Sequence, residues 1–328
     1  MKASVIIPTH NRARELRITL GCIVDQKYAD DWEIVVVNNA STDETGMVVK
    51  ELAGQNLDVR HVSEPRLGLH YARNTGALQS KHEILVYLDD DMTVSPGWLE
   101  AMLAPYREES VGCVGGKIAP DFEVDPPGWI KLFHPGFLGI LDLGEGYREV
   151  KWPQDVYGGN MSLRRSVYLD VNGFHPDAFG DKRMIWFRGD GETGLVKKIY
   201  EAGYKVVYAG EALAYHRIRD TNLTKEFFYN RAYKQGLSDN FSYYRQIKPS
   251  VWGLIRRWAW FKLRALRFRL TSHIADDPNG YSIKYDCTAG YMNAIAAHSF
   301  RLMISKDLQE FVQRRSYAGE NGLSHDEK

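Results

Sequence analysis

Over the first hundred residues, short continuous apolar runs alternate with segments whose apolar residues recur every three or four positions. Short apolar runs predict four strands, at residues 4–8, 33–37, 59–62 and 84–88. Apolar residues spaced for one helical face predict helices between them, at residues 12–26, 42–52 and 69–79. The second of these helices has Ser41 or Thr42 as its expected N-cap. Because such alternation is typical of a parallel sheet covered by helices on both faces, the predicted class is α/β.

The regular pattern weakens in the middle of the chain and returns later. Residues 96–98 predict the start of another helix, and residues 111–117 predict a fifth strand. Residues 118–154, rich in Gly, Pro and aromatic residues, predict a long functional loop. Order returns at residues 156–163, followed by helices at 165–172 and 192–202 and closing strands at 205–208 and 212–215. Helices rich in Arg, Tyr and Trp follow residue 217, and residues 316–328 predict a disordered tail.

Composition narrows the classes of function. Lys plus Arg and Asp plus Glu each number 42 in 328 residues, so no general basic field indicates a nucleic-acid partner. Cys22, Cys113 and Cys287 are odd in number and far apart, which predicts free thiols in a reducing compartment. The chain enters a strand without a signal-peptide core and has no run of about 18 apolar residues. We therefore expect a cytoplasmic protein without a membrane-spanning helix.

Three carboxylates, Asp89, Asp90 and Asp91, follow the fourth predicted strand. Open α/β sheets bind ligands at the C-terminal edge of their strands. Asp89 and Asp91 are two residues apart, so both side chains can point to one side and offer oxygen ligands to one divalent cation. Such a cation would neutralise a diphosphate, which favours a nucleotide-dependent transferase. An acidic surface loop is the alternative.

Two polar residues lie near the same predicted edge. The amide oxygen of Asn38, after the second strand, could accept from the N–H of a uracil or thymine ring. An Asx-turn with a helix cap is the alternative, and both can hold at once. Arg73, on the predicted helix 69–79, could order the carboxylates or contact a phosphate. A structural salt bridge to Asp89 or Asp90 is the alternative.

Later polar segments offer further candidates. Two glycines, Gly158 and Gly159, precede Asn160 at the start of a predicted strand. Glycines let backbone N–H groups approach a ligand closely, and a tight turn without a ligand is the alternative. Asp190 and Glu192 stand at a loop-to-helix junction, where an acid can cap the helix or act as a general base. His216 follows the last strand and could add a nitrogen ligand to a metal or serve the structure.

Together these motifs resemble the inverting glycosyltransferases of family 2, which have a GT-A fold and use nucleotide sugars to build polysaccharides. The resemblance covers residues 3–217 and rests on VIIPTHNR at 5–12, VVNNASTD at 36–43, ARNTG at 72–76, LDDD at 88–91 and GGN at 158–160. It implies a Rossmann-like, mainly parallel central sheet flanked by helices, with a C-terminal helical extension. It also implies a nucleotide-sugar-binding half over residues 1–117, an acceptor-binding and catalytic half over 118–220, and a helical region over 221–315.

The resemblance assigns roles to the site residues. The nucleotide sugar would be contacted by Pro8, Thr9, Asn11, Arg12, Asn38, Ser41, Arg66, Arg73, Asp89, Asp90, Gly159 and Asn160. Mg²⁺ or Mn²⁺ would be held by Asp89, Asp91 and His216. Glu192, with Asp190 as the alternative, would deprotonate a hydroxyl of a saccharide or lipid-linked acceptor in cell-surface polysaccharide synthesis. A single direct displacement would invert the anomeric configuration.

The chain departs from the family pattern at two places. Asn38 stands where the family usually has aspartate, so the acceptor for a pyrimidine imide remains while the charge that favours guanine is lost. UDP- or dTDP-linked sugars are therefore expected. The usual Glu-Asp-x-Asp reads here as residues 191–194, GETG, which leaves Glu192 in the position of the base. A catalytically impaired nucleotide-sugar-binding scaffold and a sugar-1-phosphate nucleotidylyltransferase are the alternatives.

Residues 251–270 form a basic, aromatic stretch. At about 100° per residue, one predicted face carries Arg256, Arg257, Arg264 and Arg267, and another carries Trp252, Ile255, Ala259, Leu263 and Leu266. This pattern predicts a helix that lies in a membrane interface, at the inner face of the cell membrane. Packing on the catalytic domain or on a second subunit, as in a homo-oligomer, is the alternative.

Overall fold

Strands and helices alternate along the first two thirds of the chain, and the described elements of the last third are helices. The computed structural model describes residues 1–53, 59–153, 156–176, 182–274, 280–315 and 317. Its strands are β1 (Ala3–Thr9), β2 (Trp32–Asn39), β3 (Val59–Glu64), β4 (Ile84–Leu88), β5 (Met92–Val94), β6 (Val111–Phe122), β7 (Tyr147–Val150), β8 (Asn160–Arg164) and β9 (Lys205–Ile218). Its α-helices are α1 (Ala13–Val24), α2 (Thr45–Ala53), α3 (Leu69–Gln79), α4 (Trp98–Leu103), α5 (Arg165–Asp170), α6 (Gly191–Glu201), α7 (Lys225–Ile247), α8 (Val251–Ile274), α9 (Tyr281–Ile304) and α10 (Lys306–Gln313). Short 3₁₀ helices lie at Ala104–Arg107, Gly128–Leu132, Pro135–Leu138, Lys182–Phe187 and Asp220–Leu223.

The described strands form one sheet in the order β3-β2-β1-β4-β8-β6-β9-β5, with β7 also paired to β9. Strands β1 to β4 run parallel to one another, as the sequence predicts. Strand β8 is antiparallel to both of its neighbours, β4 and β6, while β6 and β9 are parallel. Strands β5 and β7 are antiparallel to β9. The α/β class with a central sheet flanked by helices and a C-terminal helical region is confirmed.

The predicted elements of the first hundred residues are confirmed, with one shift at a helix start. Helix α2 begins at Thr45. Ser41 and Thr42 are therefore not its caps, and Asp43 instead accepts from the Thr45 backbone N–H at 3.1 Å. The missed strands β5 and β7 have three and four residues, too few to show a periodic pattern. The two predicted closing strands are one strand, β9, whose pairing with β6 shifts register between Gly116 and Ile118. The predicted tail 316–328 lies outside the described residues except for Tyr317.

One hydrophobic core runs from β1 to β9 and covers both predicted halves. Strand β1 is buried along its whole length, as is β4. The expected boundary at residue 117 falls inside β6, which pairs with β8 and β9. The carboxyl ends of β1, β2 and β4 therefore meet at one edge of a rigid, fully packed sheet, where the candidate residues follow.

The C-terminal helices pack on one another and on the loop between β6 and β7. Glycines at the α7–α9 contact permit close approach, since a Cβ at Gly236 would lie 2.3 Å from the carbonyl oxygen of Tyr291. Phe228 of α7 is buried among Leu138, Leu223 and aromatic rings, including Phe133 at a centroid distance of 4.8 Å. Among the helices that the structure describes, none combines the length and apolar character needed to cross a bilayer.

Asn160, at the start of β8, joins three parts of the fold. Its side chain is fully buried, and its Nδ2 donates to the carbonyls of Lys117 at 2.9 Å and Ala212 at 2.8 Å. Its Oδ1 accepts from Trp98 Nε1 at 2.9 Å. The side-chain amide of Asn160 is therefore bonded within the protein, and a contact of this residue with a nucleotide sugar stays a prediction. These partners could not be predicted from the sequence, because they lie more than 40 residues away from Asn160 along the chain.

We expect Asn160→Ala to lower the free energy of unfolding by about 3 kcal/mol, because it leaves an indole N–H and two carbonyls without their partner. Urea denaturation measures the effect. The matched control is Asn230→Ala at an exposed position of α7, with an expected change within about 0.5 kcal/mol. Equal stability of the two variants would contradict the structural role of Asn160.

Candidate active site

The acidic triplet lies where β4 ends, as predicted, and two arginines hold it. Arg12 Nη1 donates to Asp90 Oδ1 at 2.8 Å and to Asp91 Oδ2 at 2.6 Å. Arg73 Nη2 donates to Asp89 Oδ1 at 3.1 Å. Burial raises the pKa of Asp90 against the opposing effect of Arg12. Burial acts in the same sense on Asp91, but His216 and Arg12 outweigh it and hold the pKa of Asp91 below its usual range.

Asp91 and His216 face each other across the β5–β9 pair. His216 Nε2 lies 3.7 Å from Asp91 Oδ1, and His216 Nδ1 bonds to the Leu138 carbonyl at 2.8 Å. Since a carbonyl accepts only from an N–H, Nδ1 carries the proton and Nε2 is directed at Asp91. Metal-ligating histidines are oriented by this kind of second hydrogen bond. The pair therefore fits a divalent cation chemically.

The described residues contain no group of three His, Cys, Asp or Glu side chains arranged as a complete metal site. Asp89, the third predicted ligand, is turned toward Arg73. This arrangement suits Mg²⁺ or Mn²⁺ more than a structural zinc ion, because Mg²⁺ is usually bound by one or two carboxylates together with substrate phosphates and waters. Asp91 and His216, with Asp89 beside them, would likewise leave coordination positions for substrate phosphates and waters.

The loops after β1 and β2 are joined by hydrogen bonds. Asn11 N donates to Ser41 Oγ at 3.0 Å, and Asn11 Oδ1 accepts from Thr42 N at 2.7 Å. Asn38 Oδ1 accepts from Ser41 N at 3.0 Å, so the Asx-turn alternative holds for Asn38. Asn11 has a positive φ of 51°, a backbone conformation that asparagine tolerates better than most residues. Asn11, Asn38 and Ser41 thus form one preorganised rim.

Pro8 and Thr9 are the last two residues of β1. Both are buried in β1, where Pro8 pairs in register with Val37, and the side chain of Thr9 is 3% exposed. Their side chains therefore pack beneath the loop that follows β1, and their contact with a nucleotide sugar stays a prediction. Pro8 and Thr9 end the strand, whereas Asn11 belongs to the rim and Arg12 contacts Asp90 and Asp91.

Asn39 and Glu64 organise the next loop and were missed from the sequence. Asn39 Nδ2 donates to the carbonyls of Glu64 and Arg66, and Asn39 Oδ1 accepts from Gly68 N at 2.8 Å. The carboxylate of Glu64 receives two hydrogen bonds from the Arg66 guanidinium, at 2.9 Å and 2.8 Å. Burial alone would raise the pKa of Glu64, yet Arg66 and Thr75 lower it to about 2. Arg66 is thus held at the edge of the site by an ionised partner.

Arg73 connects the acidic triplet to the second acidic motif. Its side chain is 2% exposed, and its Nη1 donates to Glu192 Oε2 at 3.2 Å while Nη2 contacts Asp89. A Cβ at Gly158 would lie 2.9 Å from Arg73 Nη1, and one at Gly159 would lie 2.8 Å from Asp89 Oδ2. The two glycines therefore give the backbone room beside these side chains. The contact with Asp89 fits both the ordering of the carboxylates and the structural salt bridge given as its alternative, and the contact with a phosphate stays a prediction.

Glu192 and Asp190 have different surroundings although they are two residues apart. The Glu192 side chain, in the first turn of α6, is 33% exposed and contacts Arg73. Burial opposes its ionisation, but Arg73 outweighs burial and lowers the pKa of Glu192. Asp190 accepts from Ser242 Oγ and bonds His175 Nδ1 at 2.5 Å. Burial is again outweighed, here by His175, so the pKa of Asp190 is lowered as well.

Gly194 leaves the space that the Asp190 carboxylate fills. A Cβ at Gly194 would lie 2.0 Å from Asp190 Oδ1, far inside contact distance. The departure from the family pattern at Gly194 is therefore matched by an acid supplied from the preceding loop, with His175 and Ser242 as its partners. Neither partner was identified from the sequence, because both are distant from residue 190 along the chain.

The sequence is similar to those of known glycosyltransferases. The model of the family described as "Glycosyl transferase family 2" matches residues 4–171, about half of the chain. The chain is 26% identical over 249 residues to a glucosyl-dolichyl phosphate glucuronosyltransferase of Haloferax volcanii, covering 73% of this chain and 76% of that protein. It is 26% identical over 258 residues to the glycosyltransferase AglE of the same organism, covering 77% of this chain and 80% of that protein.

Solved structures show the same fold at low sequence identity. The mannosyltransferase PcManGT of Pyrobaculum calidifontis, in complex with GDP-Man and Mn²⁺, aligns with a TM-score of 0.58 and 18% identity over 91% of this chain and 86% of that chain. S. aureus TarS 1-349, in complex with UDP-GlcNAc, aligns with a TM-score of 0.54 and 16% identity over 90% of this chain and 91% of that chain. The predicted GT-A fold is confirmed.

We expect Gly194→Ala to displace the Asp190 carboxylate and to lower the free energy of unfolding by about 1–3 kcal/mol. In an Asp190→Ala background the same change should cost much less, which gives a coupling energy of about 1 kcal/mol or more in a double-mutant cycle followed by urea denaturation. Thr193→Ala, on the same turn, is the control. Additive effects of the two substitutions would show that Gly194 does not serve Asp190.

Proposed function

The chain belongs to glycosyl transferase family 2, and from this premise we propose that it is a metal-dependent, inverting enzyme that uses UDP- or dTDP-linked sugars. Its acceptor is the hydroxyl of a lipid-linked or other saccharide, in the synthesis of a cell-surface polysaccharide. The observation that carries the proposal is the Arg73 bridge, in which one buried guanidinium contacts both Asp89 and Glu192. In this proposal Asp89 is the carboxylate on the donor side of the site and Glu192 is the carboxylate on its acceptor side.

Asp91 and His216 would hold Mg²⁺ or Mn²⁺, with Asp89 beside them. The cation, when bound, supplies a positive charge that stabilises the leaving diphosphate. Support comes from the orientation of His216 through its Nδ1–H bond and from the Mn²⁺ in the structure of PcManGT. Arg12 keeps Asp90 and Asp91 in place, so the carboxylate of Asp91 is positioned before any ligand arrives.

Glu192 is the general base in this proposal. Its lowered pKa keeps the carboxylate ionised at neutral pH, and one third of its side chain is open to an acceptor. As the acceptor oxygen bonds to the anomeric carbon, its proton passes to Glu192 and the bond from that carbon to the diphosphate oxygen breaks. The electron pair leaves with the diphosphate. Attack opposite to the leaving group inverts the anomeric configuration in one step.

The nucleobase lies at the rim formed by Asn11, Asn38 and Ser41 in this proposal. Asn38 Oδ1 accepts one hydrogen bond, from Ser41 N, and an amide oxygen has a second lone pair for the imide N–H of uracil or thymine. The structurally similar TarS likewise binds a uridine nucleotide sugar, UDP-GlcNAc. A lipid-linked acceptor is supported by the Haloferax volcanii relative, a glucosyl-dolichyl phosphate glucuronosyltransferase.

The proposal is tested by turnover of a panel of UDP-, dTDP- and GDP-sugars. We expect EDTA to abolish turnover, Mn²⁺ or Mg²⁺ to restore it, and UDP- or dTDP-sugars to exceed GDP-sugars. Asp91→Asn should require a higher Mn²⁺ concentration for half-maximal rate, whereas Asp125→Asn, at an exposed position, should not. Full turnover in EDTA would contradict the proposed metal dependence. Turnover with GDP-sugars alone would contradict the proposed preference for UDP- or dTDP-linked sugars.

We expect Glu192→Gln to lower kcat by about 10²–10⁴-fold while donor affinity stays near that of the wild type, because glutamine keeps the size and an oxygen for Arg73 but accepts no proton. Steady-state kinetics and titration with UDP measure the two effects. Glu201→Gln, exposed at the other end of α6, is the control. An unchanged kcat in Glu192→Gln would assign the base to Asp190.

A further inference from the structure

Helix α8 carries an exposed apolar stripe along its outer face. Trp252, Leu263 and Ile274 are 75%, 69% and 81% exposed, and Leu266 and Leu270 are more than half exposed. At about 100° per residue these five side chains lie on one face of the helix. We call Trp252, Leu263, Leu266, Leu270 and Ile274 the α8 stripe. Exposed leucines scattered singly need no explanation, but a continuous row of them marks an interaction surface.

The opposite face of α8 packs on the rest of the protein. Leu254, Ala265 and Ser272 are buried there. Arg257 also faces inward: its Nε donates to Asn240 Oδ1 at 2.6 Å, and its guanidinium lies 3.7 Å from the centroid of the Tyr243 ring. The predicted face of four arginines is therefore corrected, since Arg257 belongs to the packed side. The helix uses one apolar face for packing and leaves a second one outward.

Basic side chains flank the α8 stripe on both sides. By helical spacing, Arg256, Arg264 and Arg267 lie along one side, and Lys262 and Arg269 lie along the other. All five are exposed, and α8 contains no Asp or Glu. Arginine and lysine side chains can lay their apolar stems along a hydrocarbon surface while the charged ends reach anionic headgroups. Tryptophan is likewise favoured at the boundary between hydrocarbon and water.

We propose that the α8 stripe and its basic flanks dock the protein on an anionic lipid surface, with α8 parallel to the membrane plane. Charge complementarity favours this occupant over a second copy of the chain. In a two-fold contact through the stripe, the flanks of one copy would meet those of the other, and both flanks are basic. Like charges placed together oppose such a contact, whereas anionic headgroups neutralise them.

The α8 stripe borders a groove that α8 forms with α7 and α9. The groove has a volume of about 600 Å³, and its walls include Leu263 and Leu266. Glu226 and Asp286 also line it. Lys225, Lys262 and Arg269 line it as well, so the groove carries more basic than acidic side chains and its wall continues one basic flank of the α8 stripe.

Vesicle flotation tests the proposal, with vesicles of equal parts phosphatidylglycerol and phosphatidylcholine compared with phosphatidylcholine alone. The wild-type protein should float with the anionic vesicles only. Arg256→Glu/Arg264→Glu/Arg267→Glu should weaken binding more than about tenfold, because each basic residue contributes to attraction by the surface. The matched control, Lys27→Glu/Lys50→Glu/Lys151→Glu, makes the same change in net charge at exposed positions elsewhere and should bind like the wild type.

A second variant tests the apolar contribution. Leu263→Ser/Leu266→Ser/Leu270→Ser changes only exposed side chains, so helix content and unfolding temperature should stay close to the wild type while flotation is lost. Wild-type protein that stays unbound, or variants that float as it does, would overturn the proposal. The proposal would also be overturned if sedimentation showed that the wild type is a dimer and that this variant is a monomer. The stripe would then contact a second copy of the chain. Flotation does not depend on the proposed transfer reaction, so wild-type protein that floats without turning over any donor would contradict the transfer and leave this inference standing.

Discussion

A guanidinium that is almost fully buried needs carboxylates around it, and among the residues that the structure describes Asp89 and Glu192 serve Arg73 in this way. Asp89 comes from the end of β4 and Glu192 from the first turn of α6, so the ion pairs join two distant parts of the chain at one point. Removing either partner would leave a buried charge poorly compensated, which costs several kcal/mol in typical proteins. The backbone follows this requirement, because the glycines at 158 and 159 leave room for the guanidinium and for Asp89.

The same contact explains why the altered acidic motif still forms a consistent site. Glu192 occupies the place beside Arg73, and the Asp190 carboxylate fills the space above Gly194. Asp190 is in turn held by His175 and Ser242. Two carboxylates with different exposure are therefore present in this region. Residues 190–194 therefore supply two acids where the usual motif has three, and one of the two stands just before the helix.

Much of the fold could be predicted because its strands and helices have clear apolar periods and sharp polar ends. Helix α3 and strand β4 have the predicted bounds, and the triplet at 89–91 lies at the predicted edge. The failures concern contacts between residues far apart in sequence. Nothing local indicates that Asn160 bonds to carbonyls of β6 and the β9 region, or that Arg257 turns inward to Asn240. Strands as short as β5 carry no period at all.

The orientation of the His216 imidazole depends on the C-terminal helices, although His216 itself belongs to the sheet. Its Nδ1 is bonded to the carbonyl of Leu138, and Leu138 is buried in the cluster around Phe228 of α7. The C-terminal helices thus support the segment to which His216, a residue of the candidate site, is bonded. A shortened chain ending before α7 would lose that support, and its histidine would be free to rotate. The C-terminal helices and the end of β9 are thus linked through Leu138.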